Sequence, residues 1–171
     1  KYVTMRDGVR LAVSTWLDDD KESDKENDKE THRDKRPAVL ITTRYWRAME
    51  FKQDSPEFQR NYILASYLWA RGYVLVVADA RGSGASFGTR DVEISPAEVA
   101  DIGEVIDWAA ERDWCDGRVA TTGTSYTASS TVCSLASGSS ALKLGVCRAP
   151  DFDVYRHLLA PGGIFNISFV D

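Results

Sequence analysis

The chain has 171 residues, enough for one domain with a sizeable core, and 43% of them are hydrophobic, an ordinary share for a folded globular protein. The formal net charge is −5 and no basic stripe with interleaved aromatic residues occurs, which argues against nucleic acid as a partner. No apolar run approaches the roughly 18 residues that a membrane span needs, so no membrane is expected. The chain begins with Lys1 rather than Met, so a cytoplasmic and a secreted location both stay open.

The three cysteines, Cys115, Cys133 and Cys147, do not suggest a special chemistry. They are too few and too scattered for a zinc site, and an odd number argues against a closed disulfide framework. We expect no metal site and interpret them as small buried hydrophobic residues.

The first segment predicts a β-hairpin followed by a charged insert. Alternating side chains on both sides of Arg6-Asp7-Gly8 favour two antiparallel strands. From residue 18 to residue 36 the sequence changes to blocks of Lys, Glu and Asp without a large apolar residue. Such a segment cannot bury surface to offset its ordering entropy, so we expect a solvated insert.

The next stretch predicts a strand, a helix and a second strand. Residues 38–43 and 73–78 are short apolar runs of the kind found in strands that are covered on both faces. Between them, residues 56–70 have the pattern of a largely apolar helix that ends at Arg71 and Gly72.

The glycine-rich loop after the second strand superficially resembles a dinucleotide-binding motif. Gly82 and Gly84 fit the spacing, but the third glycine position holds Phe87 and the next helix starts many residues later. We therefore expect no nucleotide cofactor, and we expect Arg81 to fix a tight loop through charge-assisted bonds.

A second helix begins at Ser95-Pro96-Ala97-Glu98, which is a capping box with proline at the first helical position. Apolar residues then recur at steps of three and four. The acidic residues of this helix, Asp101 among them, are expected on the solvated face.

The stretch from Arg118 to Ala128 predicts a strand, a sharp turn and a helix, with Ser125 at the turn. A serine on a strained strand-to-helix turn is exposed and lies beside the N–H groups of the helix N-terminus, as a nucleophile requires. The alternative is a polar turn in which the serine only caps a helix. A further strand over residues 142–147 follows that helix.

Strands that alternate with helices predict an α/β fold with a parallel-dominated sheet, helices on both faces and an N-terminal antiparallel hairpin. In such sheets chemistry occurs at the carboxyl ends of the strands, where Tyr45, Arg81 and Ser125 all fall.

In this order, the motifs resemble the X-Pro dipeptidyl-peptidase and cocaine esterase-like family of serine hydrolases. The resemblance rests on five pieces that together cover most of the chain outside the insert: Met5 to Leu11, Asp79 to Gly84 with Ser86 and Gly88, Trp114 to Val119, Gly123 to Tyr126, and Asp153 to Tyr155. It implies the N-terminal half of an α/β-hydrolase domain over residues 1–150, with the charged insert at 18–36, and the start of a helical cap over residues 151–171.

The resemblance also implies the site residues. Ser125 would be the nucleophile, and the oxyanion hole would consist of the backbone N–H of Tyr126 and the hydroxyl of Tyr45. Trp46 is the other residue that could align with the family tyrosine, but only a phenol can donate from a side-chain O–H there. Ala128 stands where the family usually has glycine.

The catalytic Asp and His of this fold come later in the chain than the turn serine. We therefore expect the remainder of a longer polypeptide to supply both, and a small ester, amide or short peptide to be the substrate. His157 is the only histidine after Ser125, but the resemblance puts it at the start of the cap. The competing hypothesis is a non-catalytic binding or scaffold protein that keeps the hydrolase fold.

Overall fold

A computed structural model describes residues 1–17, 35–47, 64–151 and 153–170, and for Phe169 and Val170 it describes the backbone only. Most of the predicted insert, residues 18–34, and the first part of the predicted helix, residues 56–63, lie outside the described residues.

The described strands are β1 (Tyr2–Thr4), β2 (Arg10–Trp16), β3 (Arg36–Thr43), β4 (Val74–Asp79), β5 (Cys115–Thr124) and β6 (Leu142–Arg148). They form one six-stranded sheet in the order β1-β2-β4-β3-β5-β6. β1 pairs with β2 and β2 with β4 in antiparallel fashion, whereas β4, β3, β5 and β6 run parallel. Parallel strands end at one edge of the sheet, so the loops that follow β3 to β6 meet there.

Helices cover both faces of this sheet. On one face, Leu40 and Val76 pack against Ile102 and Ile106 of the second helix in the main hydrophobic core. On the other face, alternate strand residues pack against the first helix, for example Leu75 against Ala65. The helices are α1 (residues 64–69), α2 (Pro96–Ala110), α3 (Tyr126–Leu135) and α4 (Ile167–Val170), with a π-turn at Tyr155–Leu159 and a 3₁₀ turn at Pro161–Gly163.

A buried arginine ties the hairpin, the loop after β4 and α2 together. Arg81 donates from Nε and Nη2 to the two carboxylate oxygens of Asp101, at 2.8 and 2.7 Å, and from Nη1 to Asp7 at 2.6 Å. The hydrogen bonds to Asp101 and Asp7 raise the pKa of Arg81 above its ordinary value, and the bond from Arg81 lowers the pKa of Asp7. A bidentate guanidinium–carboxylate pair fixes orientation as well as position, so the glycine-rich loop is held on α2.

The predicted α/β fold class, the antiparallel hairpin and the capped second helix are confirmed. Four details differ. Asp101 is buried at 3% exposure rather than solvated, because it is the partner of Arg81. β3 begins at Arg36, inside the segment assigned to the insert, and β5 begins at Cys115, in the stretch interpreted as a turn, because these two residues pair with each other. All three cysteines were expected to be buried, but only Cys115 is, and Cys133 and Cys147 are half-buried.

We predict that Arg81→Met lowers the free energy of unfolding by about 3 kcal/mol, because it leaves the buried Asp101 carboxylate without its bidentate partner. The matched control is Arg118→Met, which removes the exposed ion pair with Asp116 and should change stability little. Urea denaturation, monitored by tryptophan fluorescence, measures the free energy of unfolding of both variants. Equal unfolding midpoints for the two variants would contradict the prediction.

Candidate active site

Ser125 lies at the sharp turn between β5 and α3, in a strained backbone conformation. Its φ is 59° and its ψ is −129°, a combination that residues with a side chain rarely adopt. The Ser125 N–H donates to the carbonyl of Arg148 at the end of β6 over 3.2 Å, and the Ser125 carbonyl accepts from the N–H of Ala128 at 2.8 Å. The side chain is therefore presented outward from the sheet edge, and Ser125 is exposed.

Gly123 makes this turn possible through a steric requirement. A Cβ at position 123 would lie 2.2 Å from the carbonyl carbon of Thr127, so any side chain would collide with the backbone of α3. Thr127 Oγ1 accepts from the Thr124 N–H at 2.7 Å and donates to the Thr124 carbonyl at 2.8 Å. Helix and strand are thus joined on both sides of Ser125.

Tyr45 reaches Ser125 from the loop that follows β3. Its N–H donates to Thr43 Oγ1 at 2.9 Å, and its ring packs edge-on against the ring of Tyr126 at 6.0 Å between centroids. Partial burial by itself would raise the pKa of the Tyr45 phenol. Hydrogen bonds with the Ser125 side chain, with Arg44 and with the Tyr126 backbone, together with the charge of Arg44, outweigh that effect and lower the pKa below its ordinary value. A hydroxyl of lowered pKa is a stronger hydrogen-bond donor.

The side chain of Tyr126 anchors the turn rather than facing the site. It is 6% exposed, and its hydroxyl donates to Glu98 Oε1 at 2.8 Å. Burial, followed by the bond to the Glu98 carboxylate, raises the pKa of this phenol well above its ordinary value. Glu98 also forms the capping box with Ser95, so the N-terminal turns of α2 and α3 are connected through one carboxylate.

Backbone strain is concentrated around this edge of the sheet. The non-glycine residues with positive φ in the described part of the chain are Trp46, Ile94, Ser125 and Ala149. Trp46 follows Tyr45, and Ala149 follows the carbonyl that binds the Ser125 N–H. Strain of this kind persists where the surrounding structure imposes it, as is common at functional sites.

Sequence reasoning selected Ser125, Tyr45 and Tyr126, and the structure brings these three together. It did not find the contact of Arg44 with both tyrosine rings, and it interpreted Glu98 only as a helix cap. Glu98 carried a signal, the capping box, but nothing in the sequence shows that its second oxygen meets Tyr126. His157 is exposed in the π-turn, where its N–H donates to the Asp153 carbonyl at 2.8 Å.

Within the described ranges, no cluster of His, Cys, Asp and Glu has an arrangement suited to a metal ion. None of the helices described is both long and apolar enough to cross a membrane.

The sheet order and the strained serine turn are those of an α/β hydrolase, and comparisons with known proteins give the family. The model of the X-Pro dipeptidyl-peptidase (S15) family matches residues 7–171. The chain therefore belongs to this family of serine hydrolases.

Individual relatives agree with this assignment. A candidate serine esterase of Mycobacterium bovis is 33% identical over 99% of this chain and 27% of its own length. The cocaine esterase of a Rhodococcus species is 29% identical over 97% of this chain and 26% of its own length. The crystal structure of a CocE/NonD family hydrolase from Staphylococcus aureus, 24% identical, superposes with a TM-score of 0.70 over 93% of this chain and 28% of that one. The chain thus spans about a quarter of the length of the relatives that it matches.

We predict that Gly123→Ala destabilises the full-length polypeptide by about 3 kcal/mol, because the new methyl group overlaps the Thr127 backbone and one segment must move. The control is Gly138→Ala. Position 138 has a φ of +75° and open space around it, so this change isolates the conformational cost of about 1 kcal/mol. Denaturant unfolding compares the two variants, and a smaller loss for Gly123→Ala than for Gly138→Ala would show that the close approach is not tight.

Proposed function

We propose that the polypeptide is a serine hydrolase that cleaves an ester or amide through an acyl-enzyme, of the X-Pro dipeptidyl-peptidase, α-amino-acid ester hydrolase or acylase type. The observation that carries the proposal is Ser125 in its strained, exposed conformation, with the Tyr45 phenol close enough for the Ser125 side chain to lower the phenol pKa and with Tyr126 next in the chain. A nucleophile next to two convergent donors is what acyl transfer requires.

The proposed reaction uses Ser125 Oγ as the nucleophile. As Oγ forms a bond to the substrate carbonyl carbon, its proton passes to a histidine, and the carbonyl electron pair moves onto oxygen. The Tyr45 hydroxyl and the Tyr126 N–H donate to that oxyanion. When the tetrahedral intermediate collapses, the bond to the alcohol or amine breaks and the histidine returns the proton to this leaving group. Water then hydrolyses the acyl-enzyme by the same steps.

The histidine and the aspartate that orients it belong, in this proposal, to the remainder of the same polypeptide. Residues 1–150 would form the N-terminal half of the hydrolase domain, and residues 151–171 would start a helical cap. Leu144 and Val146 lie on one face of β6 and are 56% and 47% exposed, which supports further chain packing over this strand in the full-length polypeptide. The substrate would be a small ester, an amide or a short peptide, and no cofactor is required.

We predict that a fluorophosphonate probe labels the full-length polypeptide at Ser125, and that Ser125→Ala abolishes labelling. The control is Ser140→Ala, which removes another exposed serine at the opposite end of the sheet, just before β6. Labelling that persists in Ser125→Ala would refute the assignment. A wild-type polypeptide that is never labelled would favour the scaffold alternative instead.

We predict that Tyr45→Phe lowers the maximal rate about 10²- to 10³-fold, as the loss of one oxyanion donor does in other acyl-transfer enzymes. The fold should not change, because the ring contact with Tyr126 does not need the hydroxyl. Steady-state hydrolysis of p-nitrophenyl acetate, with the melting temperature as the check on folding, measures this. Unchanged turnover would remove Tyr45 from the oxyanion hole.

A further inference from the structure

Arg44 lies against both residues that supply the proposed oxyanion donors. Its guanidinium carbon is 5.2 Å from the ring centroid of Tyr45 and 5.1 Å from that of Tyr126. A cation at this distance from an aromatic face is attracted by the ring quadrupole, and a planar guanidinium can contact two rings at once. The side chain is 34% exposed, so solvent screens this attraction only in part.

A series of ionic contacts holds the Arg44 guanidinium in place. Arg44 Nη1 contacts Glu93 Oε1, and the same oxygen lies 3.6 Å from Nη2 of Arg90. Arg90 Nη1 in turn lies 3.6 Å from Glu98 Oε1, the oxygen that accepts the Tyr126 hydroxyl. The contacts therefore run from Arg44 back to Tyr126 through two carboxylates and one further arginine.

The position of Glu93 is itself constrained by the backbone. The next residue, Ile94, has a φ of 56°, a conformation that a β-branched residue adopts only when its surroundings impose it. Ser95 then caps α2. The Ser95 cap thus fixes the end of the loop that precedes α2, and this loop end keeps the Glu93 carboxylate beside Arg44.

We propose that Arg44 is a positioning residue. It fixes the Tyr45 ring against Tyr126 and so keeps the Tyr45 hydroxyl, one of the two oxyanion donors, at a constant distance from Ser125 and from the Tyr126 N–H, the other donor. This inference rests on the proposed function and adds a residue to it. Glu93 already occupies the Nη1 group of Arg44 and offsets its charge, which leaves Arg44 less able to bind a substrate carboxylate.

The charge of Arg44 should also act on the acidity of the donor. Its hydrogen bond and positive charge are among the causes that lower the pKa of the Tyr45 phenol. The other charged or titratable groups around the two rings are Glu93, Arg90, Glu98 and the buried Tyr126 hydroxyl. An oxyanion donor must carry its proton, so activity should fall as pH rises through the phenol pKa. Without Arg44 that pKa rises, and the alkaline loss of activity should move to higher pH.

The experiment measures phosphonylation of Ser125 in the full-length polypeptide by a neutral fluorophosphonate, as a maximal rate and a half-saturating concentration. For Arg44→Gln we expect the maximal rate to fall about 10-fold, the size of a partly desolvated cation–π contact, with the half-saturating concentration unchanged. Arg44→Lys keeps the charge without the planar fork and should recover part of the rate. In a Tyr45→Phe background the Arg44→Gln effect should largely disappear, because the group it acts through is gone.

Two further variants complete the design. Arg71→Gln is the control, because it removes another arginine that stacks on a tyrosine. The Arg71 guanidinium carbon lies 3.5 Å from the Tyr67 ring centroid. This pair is located at the end of α1, before the amino end of β4, which is at the opposite edge of the sheet from Ser125. Arg71→Gln should leave the rate and the pH profile unchanged. Glu93→Gln keeps Arg44 but weakens the ion pair that holds its guanidinium in place. It should therefore lower the maximal rate, by less than Arg44→Gln does. It serves as the test if Arg44→Gln does not fold.

The outcomes separate this inference from the proposed function. Failure of wild-type labelling, or labelling that survives Ser125→Ala, defeats the proposed function itself. If Ser125 is labelled, three results overturn the role of Arg44 alone: a rate equal to that of Arg71→Gln, a full effect in the Tyr45→Phe background, or a raised half-saturating concentration with the maximal rate intact.

Discussion

The structure depends on one close approach, that of the first turn of α3 to the end of β5. Gly123 allows it because a Cβ there would overlap Thr127, and the Thr127 hydroxyl closes the gap with two bonds to Thr124. With strand and helix held so near each other, Ser125 has to reverse the chain in a single residue and takes a positive φ. The outward direction of its side chain is a consequence of packing.

Ionic contacts orient the elements around this turn. Arg81 connects the hairpin and α2, and Glu98 connects α2 with α3. Two of the carboxylates, those of Asp101 and Glu98, are nearly buried, so each must keep its hydrogen-bonded partner to offset lost hydration. Geometry at the sheet edge is therefore sensitive to residues that never approach Ser125.

Local patterns were reliable where the local chain decides the conformation. The capping box at Ser95 predicted the start of α2, and the alternation around Gly8 predicted the hairpin. They failed where a distant partner decides. Asp101 has the sequence position of a solvated helix residue, yet Arg81, 20 residues earlier, draws it into the interior. Cys115 reads as part of a turn, but pairing with Arg36 makes it the first residue of a strand.

By itself, the sequence determined the class of sheet, the order of its elements, the family resemblance and the position of Ser125 at a strand-to-helix turn, because hydrophobic period, caps and glycine spacing are local properties. Only the tertiary structure decided which side chains surround that serine. Arg44 and Tyr126 are 82 positions apart in number, and their contact exists because β3 and β5 are neighbours in a parallel sheet whose strands end at one edge. A contact across neighbouring strands depends on register and on the path of two loops, which no local pattern specifies.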